Sequence, residues 1–218
     1  MGFFDLDTAA ELLPALLQGF LIILQITAIS SVIALLLGLI VAIINKSAPA
    51  AVTKPLFAVT EFIRNTPLLV QLIFVWYGFA TWLGDTSPNT VGAIVLGVHY
   101  ATYTAEVYRA GIDGVPKGQW EAITALSLPQ RYAWQSVILP QALRRVTPAL
   151  GNYIISMFKE VPILFAIGAT EMIFEVQAYS GLRFTGEVEG YLMAGLIFLA
   201  ASYPVAILMR KLETRLGN

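Results

Sequence analysis

The sequence predicts an all-α membrane protein with five transmembrane helices and additional helices on the cytoplasmic face. The chain is 57% hydrophobic and only 12% charged, with a mean hydropathy of +0.74, which lies outside the range of soluble globular proteins. Residues 16–44 carry no formal charge and exceed the roughly 20 residues needed to cross a bilayer. One polar, helix-capable stretch, residues 117–140, interrupts the apolar pattern.

Five apolar segments follow one another along the chain. The predicted spans are residues 16–44, 53–82, 91–112, 150–174 and 190–209, each long enough for a bilayer crossing. No linker separates them, so residues 1–218 are expected to form a single transmembrane domain. No basic residue precedes Lys46, so the N-terminus does not resemble a cleavable signal peptide.

The basic residues predict the orientation, because positively charged flanks remain in the cytoplasm. If the five spans alternate, Arg183 is the only basic residue in a loop on the far side. The N-terminus is therefore expected outside and the C-terminus in the cytoplasm. The basic residues that fall on the cytoplasmic side are Lys46, Lys54, Lys117, Arg131, Arg144, Arg145, Arg210, Lys211 and Arg215.

Several classes of partner and site are disfavoured by the composition. The basic residues follow the topology pattern and form no other patch, so no nucleic-acid partner is expected. The chain contains no cysteine, which removes disulfides and thiolate metal sites. The single histidine, His99, is expected to pack in the core, since no ligand cluster accompanies it.

Close helix packing is expected at Gly19, Gly38, Gly92, Gly97 and Gly195.

The second and fourth predicted spans are interrupted in the same way. Each carries a basic residue followed three positions later by proline: Arg64 before Pro67, and Lys159 before Pro162. Proline removes a backbone hydrogen bond and clashes with the preceding turn, so each helix should kink or break there. Prolines are also common in membrane helices, and a lone cation can extend to the headgroups. Two matching interruptions with charge near the midplane nevertheless favour a substrate site.

The charged and polar groups near these interruptions suit a zwitterionic ligand. Freed N–H groups after either proline, together with Arg64, would hold a carboxylate, and Glu160 would attract an ammonium, guanidinium or amidinium group. Alternatively, Arg64 and Glu160 neutralise one another across the helix interface and bind nothing. Glu106 is spaced to pair with Arg109. The candidate substrate-binding residues are Arg64, Asn65, Thr66, Tyr103, Glu106, Lys159 and Glu160.

The polar stretch 117–140 is predicted to dock a soluble partner. Residues 117–128 have apolar residues at helical spacing, and Leu128-Pro129 forces a turn. A second short helix, about residues 131–138, is expected before Pro140. Both pieces are too short and polar to span, so they should lie along the cytoplasmic face.

At this point the sequence resembles a known family. Glu121-Ala122, Leu139-Pro140-Gln141-Ala142 and Pro148 are similar to the EAA loop of bacterial ABC importer permeases, especially those for polar amino acids. The segments beginning at Arg64 and at Glu106 also resemble motifs of that family. The resemblance implies that the coupling residues include Glu121, Ala122, Ala125, Leu126, Ser127, Pro140 and Arg144.

This resemblance also implies a fold and a set of partners. The fold would be that of a type I ABC importer permease in the bacterial inner membrane. Expected partners are ATP-binding cassette subunits, a second permease subunit, identical or paralogous, and an extracytoplasmic solute-binding protein. ATP and Mg²⁺ would bind the ATPase subunits, because this chain lacks a phosphate-cradling Gly-Lys-Ser/Thr loop and is expected to bind no cofactor and to catalyse no reaction.

Two departures from the family pattern bear on function. Ser127 stands where the family has glycine, and a turn with positive φ would then cost on the order of 1 kcal/mol. Lys159-Glu160-Val161-Pro162-Ile163 replaces Lys-Asp-Thr-Ser-Leu, so Glu160 takes the position of the family's substrate-contacting acid. The proline variant resembles the branch that takes up ectoine and hydroxyectoine.

Two rival functions use some of the same residues. An intramembrane enzyme could recruit Glu106, His99 and Glu160 as its acid and base groups, although the docking segment would then have no purpose. A channel subunit is the other alternative, and it is disfavoured because no polar filter is evident.

Overall fold

The computed structural model describes residues 4–216, and within that range the chain consists of helices joined by short connections and contains no strand. The helices, in chain order, are α1 Leu6–Ser47, α2 Ala50–Asn65, α3 Leu68–Gly78, α4 Ala80–Leu83, α5 Pro88–Asp113, α6 Lys117–Ala125, α7 Gln130–Tyr132, a π-helix Ala133–Ile138, α8 Leu139–Glu160, a 3₁₀ helix Val161–Ile167, α9 Met172–Arg183 and α10 Glu187–Leu216. The prediction of an all-α fold is confirmed.

The packing centre is the pair α1 and α5, which run parallel to one another. The Thr104 hydroxyl of α5 donates to the Ala34 carbonyl of α1 at 2.7 Å. Gly97 allows the close approach, since a Cβ there would lie 2.7 Å from Cβ of Ile33. The main core gathers around this pair and includes Leu16, Ile23, Leu72, Leu96, Met157 and Leu164, all fully or almost fully buried.

Two ends of the bundle can be told apart. The basic end comprises the last turns of α1 and α5 together with α6 and α7. At this end Lys46 Nζ lies 2.9 Å from a carboxylate oxygen of Asp113. The opposite end holds the start of α1 and the starts of α5 and α10. There the Asp5 N–H donates to Glu189 at 2.8 Å.

The predicted break at Pro67 is confirmed. α2 ends at Asn65, α3 begins at Leu68, and the two axes are bent by 104°. The polar groups at the bend satisfy the carbonyls that the break leaves free. Gln71 Nε2 donates to the Ile63 carbonyl at 2.6 Å and to the Thr66 carbonyl at 2.9 Å.

The predicted break at Pro162 is also confirmed. α8 ends at Glu160, and Pro162 occupies the first turn of the 3₁₀ helix that follows. That short helix ends at Gly168, whose φ of +84° is left-handed. The tighter 3₁₀ turns and the left-handed residue redirect the chain toward α9.

The polar stretch departs from the prediction in its second half. A separate short helix was expected to stop before Pro140, but α7, the π-helix and α8 follow without a break from Gln130 to Glu160. Pro140 lies in the first turn of α8, where its missing N–H has little cost after a π-helical segment. The second piece is therefore the base of a long helix and not a surface helix.

Three described helical stretches, Leu6–Ser47, Gln130–Arg183 and Glu187–Lys211, are long and apolar enough to cross a membrane. The bent pair α2–α3 would count as a fourth. α5 is long enough, with 26 residues, but it is largely buried and carries charged residues. The count of five spans stays a prediction.

Candidate functional site

Three tyrosines from α5 and α8 form a cluster in the bundle. The ring centroids of Tyr100 and Tyr103 are 5.8 Å apart, and those of Tyr103 and Tyr153 are 5.6 Å apart. The Tyr100 and Tyr153 centroids are 5.8 Å apart. We call Tyr100, Tyr103 and Tyr153 the tyrosine cluster. The His99 ring lies against it, 5.3 Å from Tyr103.

The cluster contacts both broken spans. The Tyr103 hydroxyl donates to the backbone carbonyl of Arg64 at 3.1 Å, and the Tyr100 hydroxyl lies near enough to the Glu160 carboxyl to interact with it electrostatically. Residues from the ends of α2 and α8 thus meet on one face of α5. Arg64, Tyr103 and Glu160, all predicted from the sequence as substrate-binding residues, are brought together here.

Arg64 does not use Glu160 as its ionic partner. Its guanidinium pairs with Glu61, one turn earlier on α2, whereas Glu160 interacts with Tyr100. Within residues 4–216 no ion pair joins Arg64 to Glu160. The two charges share the tyrosine cluster but keep separate partners.

Asn65 and Thr66 serve the helix break itself. The Asn65 amide donates to the Glu61 carbonyl at 2.8 Å and to the Glu61 carboxylate at 3.2 Å. The Thr66 hydroxyl donates to the Phe62 carbonyl at 2.7 Å. These bonds cap the last turn of α2, so both polar groups already have structural partners.

Lys159 lies away from the tyrosine cluster. It is exposed and lines a separate cavity of about 490 Å³ with Pro162, Ile173 and Tyr191. Consecutive residues of an α-helix point about 100° apart, and so Lys159 and Glu160 occupy different faces of α8. The sequence analysis grouped Lys159 with Glu160 because they are adjacent in the chain, but adjacency does not show which face of the helix each side chain occupies.

Glu106 belongs to a chain of ion pairs that leads to the basic end. It lies 2.7 Å from Arg109, as its spacing predicted, and Arg109 lies 3.2 Å from Asp113. Asp113 is also bonded to Lys46 at 2.9 Å, and this hydrogen bond holds the pKa of Asp113 below its usual value. Asp113 is thereby an anion that joins the ends of α1 and α5.

A cavity of about 860 Å³ opens beside this chain of ion pairs. Helices α1, α2 and α5 enclose it. The lining residues are Asn45, Thr53, Lys54, Phe57, Glu61, Arg64, Glu106 and Arg109. A cavity with charged side chains in its lining therefore extends from the basic end to Arg64.

The predicted coupling residues lie on the surface of the basic end. None of the residues of α6 is buried, and the remaining members of the set, Leu126, Ser127, Pro140 and Arg144, are exposed. The helix is held from beneath, where Trp120 packs edge-on against Trp134 of the π-helix with centroids 5.7 Å apart. α6 thus presents a free face to solvent while it contacts the base of α8.

Two residues of the site were missed by sequence reasoning. Glu61 is spaced i, i+3 from Arg64, so the helical pairing rule used for Glu106 and Arg109 could have found it. Tyr153 on α8 contacts Tyr100 and Tyr103 on α5, and no local sequence pattern indicates these contacts. His99 is buried as predicted, with 7% of its surface exposed, and its Nδ1 lies 3.2 Å from Gln71 Oε1.

The chain is similar to known transport proteins over most of its length. Residues 34–218 match the family described as the binding-protein-dependent transport system inner membrane component. A probable amino-acid ABC transporter permease of Sinorhizobium fredii is 36% identical, with 97% of this chain and 91% of that protein covered. The arginine transport system permease of Bacillus subtilis is 31% identical, with 98% and 99% covered.

Solved structures of ABC transporters are also similar to this chain. A chain in the crystal structure of an amino acid ABC transporter with histidines matches with a TM-score of 0.90 and 29% identity, covering 98% of this chain and 100% of that one. The MetNI methionine ABC transporter, at 18% identity and a TM-score of 0.76, shares the fold over 93% of this chain and 96% of its own. Permeases of this family are not enzymes, and ATP hydrolysis resides in partner subunits. The chain belongs to the inner membrane components of binding-protein-dependent transport systems, and it is the permease subunit of an ABC importer.

Proposed function

We propose that this permease carries a polar amino acid, or an amino-acid-like zwitterion, into the cell. The observation that carries the proposal is the convergence of both helix breaks on the tyrosine cluster, which brings Arg64 and Glu160 to one face of α5. A cation and an anion there suit the carboxylate and the ammonium group of a zwitterion. The names of the relatives, among them an arginine permease, support an amino-acid ligand.

The proposed orientation places the N-terminus outside and the C-terminus in the cytoplasm. The support is the charge distribution, because Arg183, the last residue of α9, lies at the opposite end beside Glu11, whereas Lys46, Lys117 and Arg131 lie at the basic end. Positively charged flanks stay in the cytoplasm. The basic end and the 860 Å³ cavity would then face the cytoplasm.

Alternating access requires partners, which this family has in general: ATPase subunits and a substrate-binding protein. ATPase subunits, with ATP and Mg²⁺ bound to them, would grip the exposed face of α6. Their motion would pass through Trp120 and Trp134 to α8 and thus to Glu160 at its far end. A second permease subunit, identical or paralogous, would complete the path about a two-fold axis. The binding protein would deliver ligand at the opposite end.

The test is uptake by the complete transporter in proteoliposomes with Glu160→Gln. Removing one charge-assisted contact costs about 1.5 to 3 kcal/mol, and hence roughly 10- to 150-fold in apparent affinity. Glu160→Asp should retain more uptake than Glu160→Gln because it keeps the charge. Glu187→Gln, an equal change at an exposed residue, is the matched control. Uptake by Glu160→Gln equal to that control would refute the proposal.

A cyclic zwitterion such as ectoine is a useful second probe. The prediction of an ectoine branch came from Val161 and Pro162, which replace two hydroxyl-bearing residues of the family pattern. Val161 is fully buried in the main core, and Pro162 lines the Lys159 cavity. Neither residue is among those that form the tyrosine cluster, so the argument for ectoine rests on resemblance alone. Uptake of ectoine in competition with L-arginine and L-glutamine would decide it.

A further inference from the structure

The 860 Å³ cavity is lined by two copies of the same short pattern, Glu-x-x-Arg. One is Glu61 and Arg64 on α2, and the other is Glu106 and Arg109 on α5. In each copy the acid pairs with the arginine of its own helix. Within residues 4–216 no ion pair crosses the cavity between these four side chains.

The two copies are in complementary register. α2 leads away from the basic end, where α1 finishes, whereas α5 leads toward it, so the two patterns run in opposite directions. The contact between the Tyr103 hydroxyl and the Arg64 carbonyl puts Arg64 on the side of Glu106 that is farther from the basic end. Each pattern has one residue nearer the basic end, Glu61 on α2 and Arg109 on α5, and one residue farther from it, Arg64 on α2 and Glu106 on α5. The two nearer residues therefore carry opposite charges, and so do the two farther residues; we call these the two levels of the cavity.

We propose that these four residues form a cytoplasmic gate that closes by exchanging ion-pair partners. In the open arrangement the pairs run along each helix, as they do here. In the closed arrangement Arg64 pairs with Glu106 and Glu61 pairs with Arg109 across the cavity. This proposal rests on the proposed orientation, in which the basic end faces the cytoplasm, and it assigns Glu61 and Arg109 a role in translocation.

The exchange is plausible energetically because no charge loses its partner. Pairs at i, i+3 between partly exposed side chains are individually weak, and the four side chains keep between 26% and 51% of their surface exposed. A closed gate would exclude water, which strengthens the new pairs and leaves no ion unpaired. Two arrangements of similar free energy are what a switching element requires.

The competing explanation is that each pair only stabilises its own helix. Exchanging the two residues within one helix separates the explanations, because that variant keeps the intrahelical pair and the net charge. E61R/R64E preserves the α2 pair but places like charges opposite each other at both levels. Adding E106R/R109E restores opposite charges at both levels. The three proteins have identical composition, so differences report on charge placement.

Closure can be measured directly because the chain has no cysteine. Spin labels on Phe57→Cys and Ala110→Cys, two exposed positions, report the distance between α2 and α5 in the complete transporter by pulsed electron paramagnetic resonance. We expect the distance to shorten on trapping with ATP and vanadate in the parent protein, to stay long in E61R/R64E, and to shorten again in the quadruple variant. Normal closure of E61R/R64E would overturn the gate, and so would a quadruple variant that stays open.

Uptake by the same variants keeps the gate and the proposed substrate site apart. A quadruple variant that closes but does not transport supports both, because Arg64 would still be missing from the ligand site. A quadruple variant that closes and transports normally supports the gate and refutes the role of Arg64 in binding. Normal closure of E61R/R64E refutes the gate whatever the uptake shows.

Discussion

At the residue scale, Ser127 has a strained backbone conformation in the polar stretch 117–140, which we call the coupling segment. Its φ of +47° lies in the left-handed region, where Cβ crowds the backbone and glycine is favoured. The family pattern has glycine at this position, and the turn has the positive φ for which the sequence analysis expected serine to be unfavourable. The serine side chain is exposed, and no hydrogen bond of its hydroxyl is seen among the described residues.

Ser127→Gly is therefore expected to stabilise the protein by about 1 kcal/mol, because glycine adopts this conformation without steric cost. The melting temperature of the purified complex in detergent is the measurement. Ser136→Gly, in the exposed part of the π-helix, is the control and should be destabilising by about 0.5 to 1 kcal/mol. An equal shift for both substitutions would contradict the strain at Ser127.

At the element scale, the packing of α1 against α5 depends on specific small residues. A Cβ at Gly97 would lie 2.7 Å from Ile33 Cβ and 3.0 Å from the Ser30 carbonyl, too close for either helix to stay in place. The sequence also predicted close packing at Gly195, and this was wrong, because a Cβ there meets nothing within 4 Å. A glycine permits another helix to pack closely against it, but close packing occurs only where a second helix lies opposite that glycine.

Gly97→Ala should therefore destabilise the permease by about 1 to 3 kcal/mol through overpacking. Gly195→Ala is the matched control and should be neutral or stabilising by up to about 1 kcal/mol, since alanine favours the helix. Thermal unfolding of both variants, followed by the loss of monodisperse protein on size exclusion, measures the difference. Similar melting temperatures for the two would contradict the close approach of α1 and α5.

The coupling segment carries a prediction of its own at this scale. α6 has one exposed face and is supported on the other by the Trp120–Trp134 contact, so a change on its free face should affect docking and not folding. Glu121→Arg should lower both ATPase copurification and uptake while the chain remains inserted. Glu187→Arg, the same reversal at the opposite end, should copurify normally. Full uptake and copurification by Glu121→Arg would remove α6 from the coupling surface.

The helix breaks were predictable and their partners were not. Proline acts on its own backbone and on the preceding turn, so Pro67 and Pro162 predict the interruptions locally. The tyrosine cluster depends on how α5 and α8 are rotated against each other, and a single sequence does not encode that rotation in any short pattern. Pro140 misled the prediction, because a π-helical segment before it accommodates the missing hydrogen-bond donor.

At the scale of the whole molecule, the account depends on which end faces the cytoplasm. Both ends are held together by polar contacts, such as Lys46 with Asp113 at the basic end and Asp5 with Glu189 at the other. Packing alone therefore does not give the orientation, and the argument rests on charge. Substrate entry, docking of the ATPase and the proposed gate all reverse if the orientation reverses.

Labelling of introduced cysteines tests the orientation in intact cells. Asp85→Cys, exposed near the opposite end, should react with an impermeant maleimide. Gly118→Cys, exposed on α6, should react only after the cell membrane is permeabilised. The native chain has no cysteine, so the background is low. The reverse labelling pattern would overturn the assignment of the basic end to the cytoplasm.

The most direct test of the central claim is equilibrium binding to the permease and ATPase complex without the binding protein, which removes the selectivity of that protein. L-arginine and its Nα-acetyl analogue, which lacks the α-ammonium charge, are compared on the parent complex and on Glu160→Gln. We predict that acetylation weakens binding to the parent roughly 10- to 150-fold, the value of one charge-assisted contact, and causes no further loss once Glu160 is neutral. Equal losses in both complexes would show that Glu160 does not contact the ammonium group and would contradict the account.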